Sequence, residues 1–391
     1  MKSELNAALA GKSVFVTGHT GFKGSWLSLW LAKLGAKVTG YALAPPATPT
    51  GTVDATPAPN NFTVSRVADV LAAHHEADIR DYAKLHAAIK AAEPDVVLHL
   101  AAQPFVRYSY AAPHETMDVN VMGTVNVLEC LRTLGRPCAV VIVTTDKCYE
   151  NREQTWGYRE CDALGGFDPY SASKGAAEIV VGSYRQSFFP VDKLARHGIS
   201  IASARAGNVI GGGDWALDRI VTELVRCSVA GEDAQLRNPR AIRPWQHVLE
   251  PLSGYLQLAA KMTSRPDARW CEAWNFGPLP GDEWPVGRLA DAFFAAWGSG
   301  GWRDVGDPNQ PHEASLLRLS IDKAIAHLGW KPRWQVREAA ERTARWFRDY
   351  YAELGSMADA CLAEIEDYEQ AMVADTVSGG TTDHESRLRV A

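Results

Sequence analysis

Paired cysteines, long apolar runs and stripes of lysines and arginines are all missing from this 391-residue sequence. Its seven cysteines are scattered and odd in number, and no Cys-x-x-Cys pair occurs. This spacing predicts reduced thiols and argues against both a disulfide framework and a zinc site. We therefore expect no metal ion.

Targeting and nucleic-acid signals are equally scarce. No apolar run approaches the roughly 20 residues of a membrane-spanning helix, and the first residues, Met1 to Asn6, lack an apolar signal core. The net charge of -6 comes without a stripe of lysines or arginines that could neutralise phosphates. We expect a cytoplasmic protein with no membrane or nucleic-acid partner.

The start of the chain holds a strand, a glycine turn and a helix in that order. An apolar run, Val14 to Val16, precedes Gly18, Gly21 and Gly24, and helical periodicity follows from Ser25 to Lys33. Missing side chains let a pyrophosphate approach the backbone, and the helix N-terminus offers free N–H groups. This stretch predicts a dinucleotide site.

Strands and helices continue to alternate along the chain, which predicts a Rossmann-type doubly wound parallel sheet of the α/β class with a smaller, mixed C-terminal domain. At 46% hydrophobic residues, the chain can form a large core. We assign residues 1–205 to the nucleotide domain, 206–373 mainly to the substrate domain, and 374–391 to a disordered tail. The predicted strands are 36–43, 95–103, 139–145 and 199–205, and the predicted helices lie near 82–92, 113–135, 169–188 and 335–373.

Two features near the second strand stay open. Neither an acidic residue nor an arginine stands at the end of this strand, so the sequence does not choose firmly between NAD and NADP. The following residues, 44–61, contain five prolines and are typical of a surface connection, with an active-site lid as the alternative.

Candidate catalytic groups follow the strand over 139–145 and begin the helix over 169–188. The first group runs from Thr144 to Lys147, at the carboxyl end where parallel sheets bind ligands. Tyr170 and Lys174 are four residues apart and share one helical face. An ammonium beside a phenol favours the ionised phenol, which suits proton transfer.

A basic segment lies in the second half of the chain. Arg237, Arg240 and Arg243 are followed by Trp245 and His247. The segment is either a solvated loop or a clamp for a phosphate group, and the residues alone do not decide between them.

Taken together, Thr17-Gly-x-x-Gly-x-x-Gly24, Thr145 and Tyr170-x-x-x-Lys174 resemble the extended branch of the short-chain dehydrogenase/reductase superfamily. Finer motifs are similar to those of its nucleotide-sugar 4,6-dehydratases, over about residues 10 to 370. These motifs are Gly18–Leu27, Thr145–Arg152, Gly207–Trp215 and Arg243–Val248.

The resemblance implies a bound NAD and a substrate that is CDP-glucose or a related nucleotide sugar. Sugar C4 would be oxidised, water lost across C5 and C6, and C6 reduced, as in deoxysugar biosynthesis for lipopolysaccharide O-antigen. It further implies a homodimer through residues 113–135 and 169–188, or a tetramer.

Residue roles are also implied by the resemblance. Tyr170 would be the C4 base, Lys174 would hold the nicotinamide ribose, and Thr145 would bond the sugar hydroxyl. Asp146 would protonate the departing 6-hydroxyl, and Lys147 would act as the C5 base or stabilise the enolate. Cofactor contacts are implied for Gly18, Thr20, Gly21, Phe22, Lys23, Gly24, Asp78, Ile79, Leu100, Ala101, Ala102, Gln103, Thr144, Tyr170 and Lys174. Substrate contacts are implied for Gln103, Arg107, Asn208, Arg219, Arg237, Arg243 and His312.

Two other functions share part of these motifs. A hexose epimerase would keep Tyr170 and Lys174 but has no need of the pair Asp146 and Lys147. A non-catalytic nucleotide-binding regulator could lose Tyr170 or Lys174, and this chain keeps both. The nucleotide base and the sugar, glucose or a heptose, stay open.

Overall fold

The computed structural model describes residues 2–45, 59–306 and 316–378, with side chains as far as residue 373. Within these residues the strands are short and spread along the whole chain. They are β1 Ser13–Thr17, β2 Lys37–Ala42, β3 Ala73–Glu76, β4 Val96–His99, β5 Cys138–Val143, β6 Ile199–Ala206, β7 Val209–Ile210, β8 Ala234–Leu236, β9 Ile242–Arg243, β10 Gln246–His247, β11 Ala273–Phe276, β12 Trp284–Pro285 and β13 Trp302–Asp304.

The central sheet of the described chain has seven strands in the order β11-β6-β5-β4-β1-β2-β3, and every neighbouring pair is parallel. The strand order reverses beside β1, where Val16 pairs with Gly40 of β2 on one side and Leu98 of β4 on the other. A crevice forms outside the carboxyl ends of the strands at such a reversal. The predicted doubly wound α/β fold is therefore confirmed.

Helices cover both faces of this sheet and build most of the second half of the chain. They are α1 Lys2–Leu9, α2 Phe22–Lys33, α3 Asn61–Val64, α4 Tyr82–Ala92, α5 Val106–Ala111, α6 Pro113–Met117, α7 Gly123–Arg132, α8 Pro169–Ser187, α9 Leu194–His197, α10 Ile220–Ala230, α11 Leu249–Ser264, α12 Val286–Trp297, α13 Val336–Tyr351 and α14 Met357–Ser378. No helix of the described residues is both long enough and apolar enough to cross a bilayer.

The apolar core lies in two layers, one on each face of the sheet. Side chains alternate between the faces along a strand, so Val14 and Val16 join one layer and Phe15 joins the other. The first layer includes buried residues of α2, α11, α13 and α14, and the second includes those of α4, α7 and α8. Both layers hold β1 and its glycine turn in place.

Some predicted elements differ from the structure. The helix predicted over 113–135 is α6 and α7 joined by a π-helical turn, Asp118–Met122. The region predicted as helical over 335–373 is two helices, α13 and α14. The strand β3 and the helix α1 have no counterpart in the prediction. For β3 the reason is that the strand is short and alternates half-buried with exposed residues.

The C-terminal boundary also needs correction. Helix α14 continues to Ser378, so residues 374–378 are helical and not a disordered tail. The helix places buried residues Cys361, Ile365, Tyr368 and Met372 at helical spacing, which attaches it to the core. Residues 379–391 lie outside the described residues, as does most of the predicted loop over 44–61.

The predicted domain boundary after residue 205 stays a prediction. Strand β11, from the second half of the chain, joins the edge of the central sheet beside β6. The second half also forms three small two-stranded pairs in the described chain: β7 with β10, β8 with β13, and β9 with β12. The chain therefore passes back to the central sheet after residue 205.

Candidate active site

The glycine turn between β1 and α2 brings three pieces of backbone very close together. Gly18 has a φ of +76°, and a Cβ there would lie 2.7 Å from the backbone nitrogen of Ala101. A Cβ on Gly24 would lie 2.1 Å from the Gly18 carbonyl oxygen. Gly21 is exposed and caps α2 without a side-chain hydrogen bond. This cradle fits a dinucleotide pyrophosphate at the N-terminus of α2.

Hydrogen bonds from β1 fix the chain that follows β4. The Thr17 hydroxyl oxygen accepts the N–H groups of Leu100 and Ala101, both at 3.1 Å, and lies 2.7 Å from His99 Nδ1. Burial lowers the pKa of His99 to about 3, so its ring is neutral. Two of the predicted cofactor residues, Leu100 and Ala101, are thereby held against the glycine turn.

The predicted cofactor residues Thr20 and Asp78 are both joined by hydrogen bonds to the end of β2. Thr20 donates its hydroxyl to the carbonyl oxygen of Leu43 at 3.0 Å, directly after β2. Tyr41, within β2, donates its hydroxyl to the carbonyl oxygen of Asp78 at 3.0 Å. The structure therefore brings these predicted residues to the same edge of the sheet as the glycine turn.

The sequence interpretation missed a role for His19, inside the glycine turn. Its ring is completely buried, and Nε2 lies 2.6 Å from Nδ1 of His74 on β3. A Cβ on Gly40 of β2 would lie 2.3 Å from the His19 ring, so Gly40 makes the space for it. Burial and the neighbouring His74 lower the pKa of His19 to about 4, so the ring is neutral. The glycine inside strand β2 was the available signal for such a close approach.

The predicted residues after β5 are in direct contact with one another. Thr145 donates its hydroxyl to Asp146 Oδ1 at 2.8 Å, and Lys147 Nζ lies 3.8 Å from the same oxygen. Asp146 is completely buried, and within the described residues its Oδ2 has no hydrogen-bond partner. An unpaired buried carboxylate oxygen is costly unless a ligand bonds to it. The structure thus leaves one buried oxygen of Asp146 without a hydrogen-bond partner among the described residues.

Tyr170 and Lys174 lie in the first turns of α8, which Asp168 caps by accepting the Ser171 N–H at 2.9 Å. Both side chains are buried. Burial raises the pKa of Tyr170 to about 12, whereas a hydrogen bond with the Thr145 side chain lowers it. Burial lowers the pKa of Lys174 to about 8.

These directions correct one expectation from the sequence. The ammonium of Lys174 was expected to favour ionisation of the Tyr170 phenol. Instead, desolvation of the charged phenolate outweighs every favourable contact in the protein alone. The charged neighbour that most favours the Lys174 ammonium is the carboxylate of Glu178, one turn further along α8.

Glu178 lies at the centre of a buried polar network that the sequence interpretation missed. Its carboxylate accepts hydrogen bonds from Thr144, from Ser203 at 2.7 Å and from the Arg205 guanidinium at 2.8 Å. Arg205 also donates to the Tyr149 hydroxyl oxygen at 2.7 Å. The network connects β5 and β6 to α8. The hydroxyl of the predicted cofactor residue Thr144 is therefore already donated to Glu178.

A second network supports the other side of α8. Asn120, in the π-helical turn, donates to Ser173 Oγ at 2.8 Å and to the Gln103 carbonyl oxygen at 3.1 Å. The Gln103 amide donates to Thr116 Oγ1 at 2.8 Å and accepts the Phe105 N–H. Both polar atoms of the Gln103 side chain are therefore bonded within the protein. These bonds argue against the predicted contacts of the Gln103 side chain with cofactor and substrate.

Two predicted substrate arginines meet at the mouth of the cleft from opposite halves of the chain. Arg107, on α5, lies 3.0 Å from Asp218, and Arg219 Nε lies 3.9 Å from Asp214. The Arg219 guanidinium also lies 5.8 Å from the centre of the Phe105 ring. The cleft mouth thus carries two guanidinium groups, the preferred partners of a diphosphate.

Lys23 adds a further basic group between the glycine turn and the catalytic residues. Its half-buried side chain projects from the first turn of α2. Burial, and then the positive charge of Arg219, lower its pKa to about 7, while Asp146 and Asp214 act in the opposite direction. Lys23 therefore couples the predicted cofactor turn electrostatically to Asp146, a predicted catalytic residue.

The segment Arg243–Val248 is mainly structural apart from its arginine. Trp245 Nε1 donates to the Trp284 carbonyl oxygen and Gln246 Nε2 to the Phe276 carbonyl oxygen, both at 3.0 Å. His247 is completely buried. Arg243 is only half-buried and donates to the Ile242 carbonyl oxygen at 3.0 Å.

The other predicted substrate residues are more widely separated. Asn208 follows β6, and its side-chain oxygen is buried without a hydrogen-bond partner among the described residues. Arg237 is exposed after β8. His312 lies outside the described residues, so the structure does not place it.

Comparisons with known proteins agree with this geometry. The model of the GDP-mannose 4,6 dehydratase family matches residues 15–266. CDP-glucose 4,6-dehydratase from Salmonella typhimurium is 48% identical over 338 residues, which are 86% of this chain and 91% of that protein. This chain belongs to the nucleotide-sugar 4,6-dehydratase family.

Other members of the same fold are more distant from this 4,6-dehydratase-family chain. UDP-glucose 4-epimerase from Mycoplasma pneumoniae is 26% identical over 291 residues, covering 72% of this chain and 84% of that protein. The crystal structure of a dTDP-glucose 4,6-dehydratase from Streptomyces venezuelae, solved with NAD bound, superposes with a TM-score of 0.71 at 22% identity. It matches 88% of this chain and 99% of that one. The fold is thus shared by dehydratases and epimerases.

Proposed function

We propose that this protein is a hydro-lyase that converts CDP-glucose to CDP-4-dehydro-6-deoxyglucose with NAD as cofactor. The observation that carries the proposal is the contact of Thr145, Asp146 and Lys147, in which the second Asp146 oxygen is buried without a hydrogen-bond partner among the described residues. Similarity to the Salmonella typhimurium CDP-glucose 4,6-dehydratase supports the choice of nucleotide and sugar.

The cradle at Gly18, Gly21 and Gly24 fits NAD, since added side chains would fill the space beside Ala101 and the Gly18 carbonyl. NAD bound there would supply the hydride acceptor for oxidation at sugar C4 and the hydride donor for reduction at C6. The remaining residues that would hold NAD are Thr20, Phe22, Lys23, Asp78, Ile79, Leu100, Ala101, Ala102, Gln103, Thr144, Tyr170 and Lys174. The NAD bound in the superposed Streptomyces venezuelae structure supports this cofactor.

The residues of the chain supply the proton transfers. Tyr170 takes the proton of the 4-hydroxyl, and Thr145 bonds the sugar hydroxyl. Asp146 donates a proton to the departing 6-hydroxyl. Lys147, about one-third exposed at its side chain, removes the C5 proton or stabilises the resulting enolate.

The diphosphate of the substrate would be bound by arginines of the cleft. Arg219, beside Phe105, and Arg107, beside Asp218, would bind it together with Arg243 and Asn208. Arg237 and His312 are further candidates from the sequence. The convergence of guanidinium groups from both halves supports a doubly charged ligand in the cleft.

Three further expectations belong to this proposal. We infer a homodimer through residues 113–135 and 169–188, with a tetramer as the alternative, supported by exposed apolar side chains on those helices. We infer a cytoplasmic enzyme from the reduced cysteines. We infer that the product enters deoxysugar biosynthesis, as for lipopolysaccharide O-antigen, because the 4-keto group and missing 6-hydroxyl suit it for further modification.

A panel of nucleotide sugars tests this function directly. CDP-, dTDP-, GDP- and UDP-linked hexoses are incubated with the protein and NAD, and products are examined by mass spectrometry. We expect loss of one water from CDP-glucose and none with Tyr170→Phe. Conversion of UDP-glucose to an epimer of unchanged mass, without loss of water, would instead support the epimerase alternative, which the similarity to the Mycoplasma pneumoniae epimerase keeps relevant.

A further inference from the structure

Glu178 is a buried acidic residue beside the active site that takes no part in the proposed proton transfers. It lies one turn after Lys174 on α8, and residues four apart share one face of a helix. Both side chains are buried. The Glu178 carboxylate accepts hydrogen bonds from the Thr144 hydroxyl, from Ser203 Oγ at 2.7 Å and from the Arg205 guanidinium at 2.8 and 3.0 Å. This carboxylate therefore connects the helix of Lys174 with the end of β5 and with β6.

The hydrogen-bond donors around Glu178 keep its carboxylate ionised. Burial opposes the charge, but the Arg205 guanidinium and the hydroxyls of Thr144 and Ser203 outweigh burial and lower the pKa of Glu178. A carboxylate that accepts several hydrogen bonds is stabilised in its charged form. The protein thus holds a negative charge in its interior at neutral pH, one helical turn from Lys174.

The Lys174 ammonium depends on this charge because its other neighbours do not favour it. Burial lowers the pKa of Lys174 to about 8, while Glu178, followed by Cys148, acts in the opposite direction. The Cys148 thiol is neutral, since burial raises its pKa well above the usual range. His99 of β4, with a pKa of about 3, is neutral, and Lys23 of α2, with a pKa of about 7, is basic. Of these groups in the described chain, only Glu178 is negatively charged at neutral pH.

Glu178 favours the ammonium without binding it. Within the described residues, no acidic side chain forms a salt bridge with Lys174 at 4.0 Å or less, and the Glu178 oxygens are occupied by Arg205 and the two hydroxyls. An ammonium has three N–H donors and no acceptor. Lys174 therefore keeps its donors available for the hydroxyl groups of a ligand.

We infer that Glu178 is a positioning residue for the cofactor, whose buried charge keeps Lys174 in the ammonium form that bonds the hydroxyls of the nicotinamide ribose. This inference rests on the proposed function, in which Lys174 holds that ribose. A neutral amine is a weaker donor than an ammonium. NAD affinity should therefore fall as the pH rises and Lys174 loses its proton, and Glu178 should set the pH at which this occurs.

The variant Glu178→Gln tests the inference, with Ser203→Ala as the matched control. Glutamine keeps the shape of the side chain and an acceptor oxygen but carries no charge. Ser203→Ala removes one hydrogen bond to the same carboxylate and keeps its charge. After removal of any bound nucleotide, isothermal titration calorimetry measures the dissociation constants of NAD and ADP from about pH 6 to about pH 9, which spans the pKa of Lys174. ADP has the pyrophosphate but no nicotinamide ribose, so it reports on the glycine turn and Lys23 alone.

We expect wild-type protein and Ser203→Ala to lose NAD affinity only as the pH rises through about 8. Loss of a neighbouring opposite charge should lower the pH of this change by about one unit or more in Glu178→Gln. At about pH 8, half of Lys174 is charged in wild type and about one-tenth would be charged in the variant, so NAD should bind about fivefold more weakly. At about pH 6 the variant and wild type should bind NAD equally, and ADP should bind all three proteins equally at each pH.

The same pH dependence of NAD binding in Glu178→Gln and wild type would overturn the inference. An equal loss of affinity for NAD and ADP at every pH would also overturn it, because it would show general damage to the site. The proposed function fails separately if wild-type protein binds NAD but removes no water from CDP-glucose.

A double variant covers the case in which Glu178→Gln fails to fold, since that change leaves the buried Arg205 guanidinium without its carboxylate. Glu178→Gln with Arg205→Met leaves no unpaired charge in the network, and replacing a buried ion pair by uncharged residues is often tolerated. Circular dichroism confirms the fold of each variant. We expect the double variant to lose NAD affinity at the lower pH as well, because Lys174 still lacks its carboxylate neighbour. A wild-type pH dependence in the double variant would contradict the role of Glu178.

Discussion

The side chains of Tyr170 and Lys174 are buried together on α8. Burial disfavours the charged form of each, so the pKa of Tyr170 is raised and the pKa of Lys174 is lowered. The phenol must ionise to accept the 4-hydroxyl proton, so the raised pKa leaves little active base at neutral pH. Contacts with bound ligands would have to offset part of this desolvation. The residue pair is therefore incomplete as a catalyst until the cleft is filled.

The pH dependence of C4 oxidation follows from the raised pKa of Tyr170. Because the pKa of Tyr170 is raised, the ionised fraction grows as pH rises through neutrality, and we expect single-turnover formation of NADH to accelerate with pH. Tyr170→Phe should abolish NADH and product at every pH. Stopped-flow absorbance measures both, with the retained fold checked by circular dichroism. A rate that falls with rising pH would contradict Tyr170 as the base.

Asp146 should be separable from Tyr170 by mutation, because it acts only when the 6-hydroxyl leaves. Asp146→Asn keeps the size of the side chain but cannot donate an acid proton. We expect C4 oxidation to continue while elimination slows by about 10²–10⁴-fold, so that bound NADH accumulates. Single-turnover absorbance measures this build-up.

A variant of Lys147 can be compared with Asp146→Asn in the same NADH measurement. Lys147→Ala should also accumulate NADH if this residue is the C5 base, and should have a milder effect if it only stabilises the enolate. Full overall activity of Asp146→Asn without NADH build-up would reject the acid role and favour an epimerase.

Among the secondary-structure elements, α11 is joined to the C-terminal region by the buried carboxylate of Glu250. Glu250 accepts the N–H groups of Arg333 and Trp334, the latter at 2.7 Å, and the Tyr368 hydroxyl of α14 at 2.6 Å. Burial raises its pKa to about 7 despite these donors. The anchoring of α14 thus includes a group that titrates near neutrality.

The raised pKa of Glu250 predicts how the stability of the protein changes with pH. A pKa raised in the folded state means that the protonated form is favoured by folding. The contribution to stability is full below the ordinary pKa of about 4.3 and is lost as pH rises to about 7. Glu250→Gln resembles the protonated form at every pH. We expect the free energy of unfolding of this variant, minus that of wild type, to increase over that interval.

Urea unfolding at several pH values measures the difference, with Glu366→Gln as a control on the surface of α14. Glu366 is exposed. A difference between Glu250→Gln and wild type that does not change with pH would contradict the raised pKa.

The order of elements along the chain could be predicted well because hydrophobic periodicity is local. Buried runs such as β5 and β6 contain almost only apolar or small residues, and the capped helix α8 begins at the predicted proline. Strand β3, Ala73–Glu76, could not be recognised because its sequence is polar and only the neighbouring strand β2 gives it a partner.

For the whole molecule, the predicted homodimer can be tested by substituting exposed apolar side chains of the proposed interface. Ile179 of α8 is 62% exposed, and Met122, in the π-helical turn before α7, is 47% exposed. We expect a dimer by light scattering at micromolar concentration and a monomer for Ile179→Glu, because burying the new charge would be costly. Val229→Glu is the control, since Val229 is also exposed but lies on α10, outside the proposed interface. A monomeric wild-type protein would refute the prediction.

The sequence by itself determined the class of fold, the glycine cradle and the residue types of the catalytic group, because these depend on local spacing and periodicity. Only the tertiary structure decided which side chains are free to act. Distant residues such as Glu178 with Arg205, and Asn120 with Gln103, bond to each other inside the protein. Likewise, Gly207 and Pro244 reach Asp146 only after β5 and β6 pair, because desolvation and close contact depend on neighbours that the chain brings together from far apart.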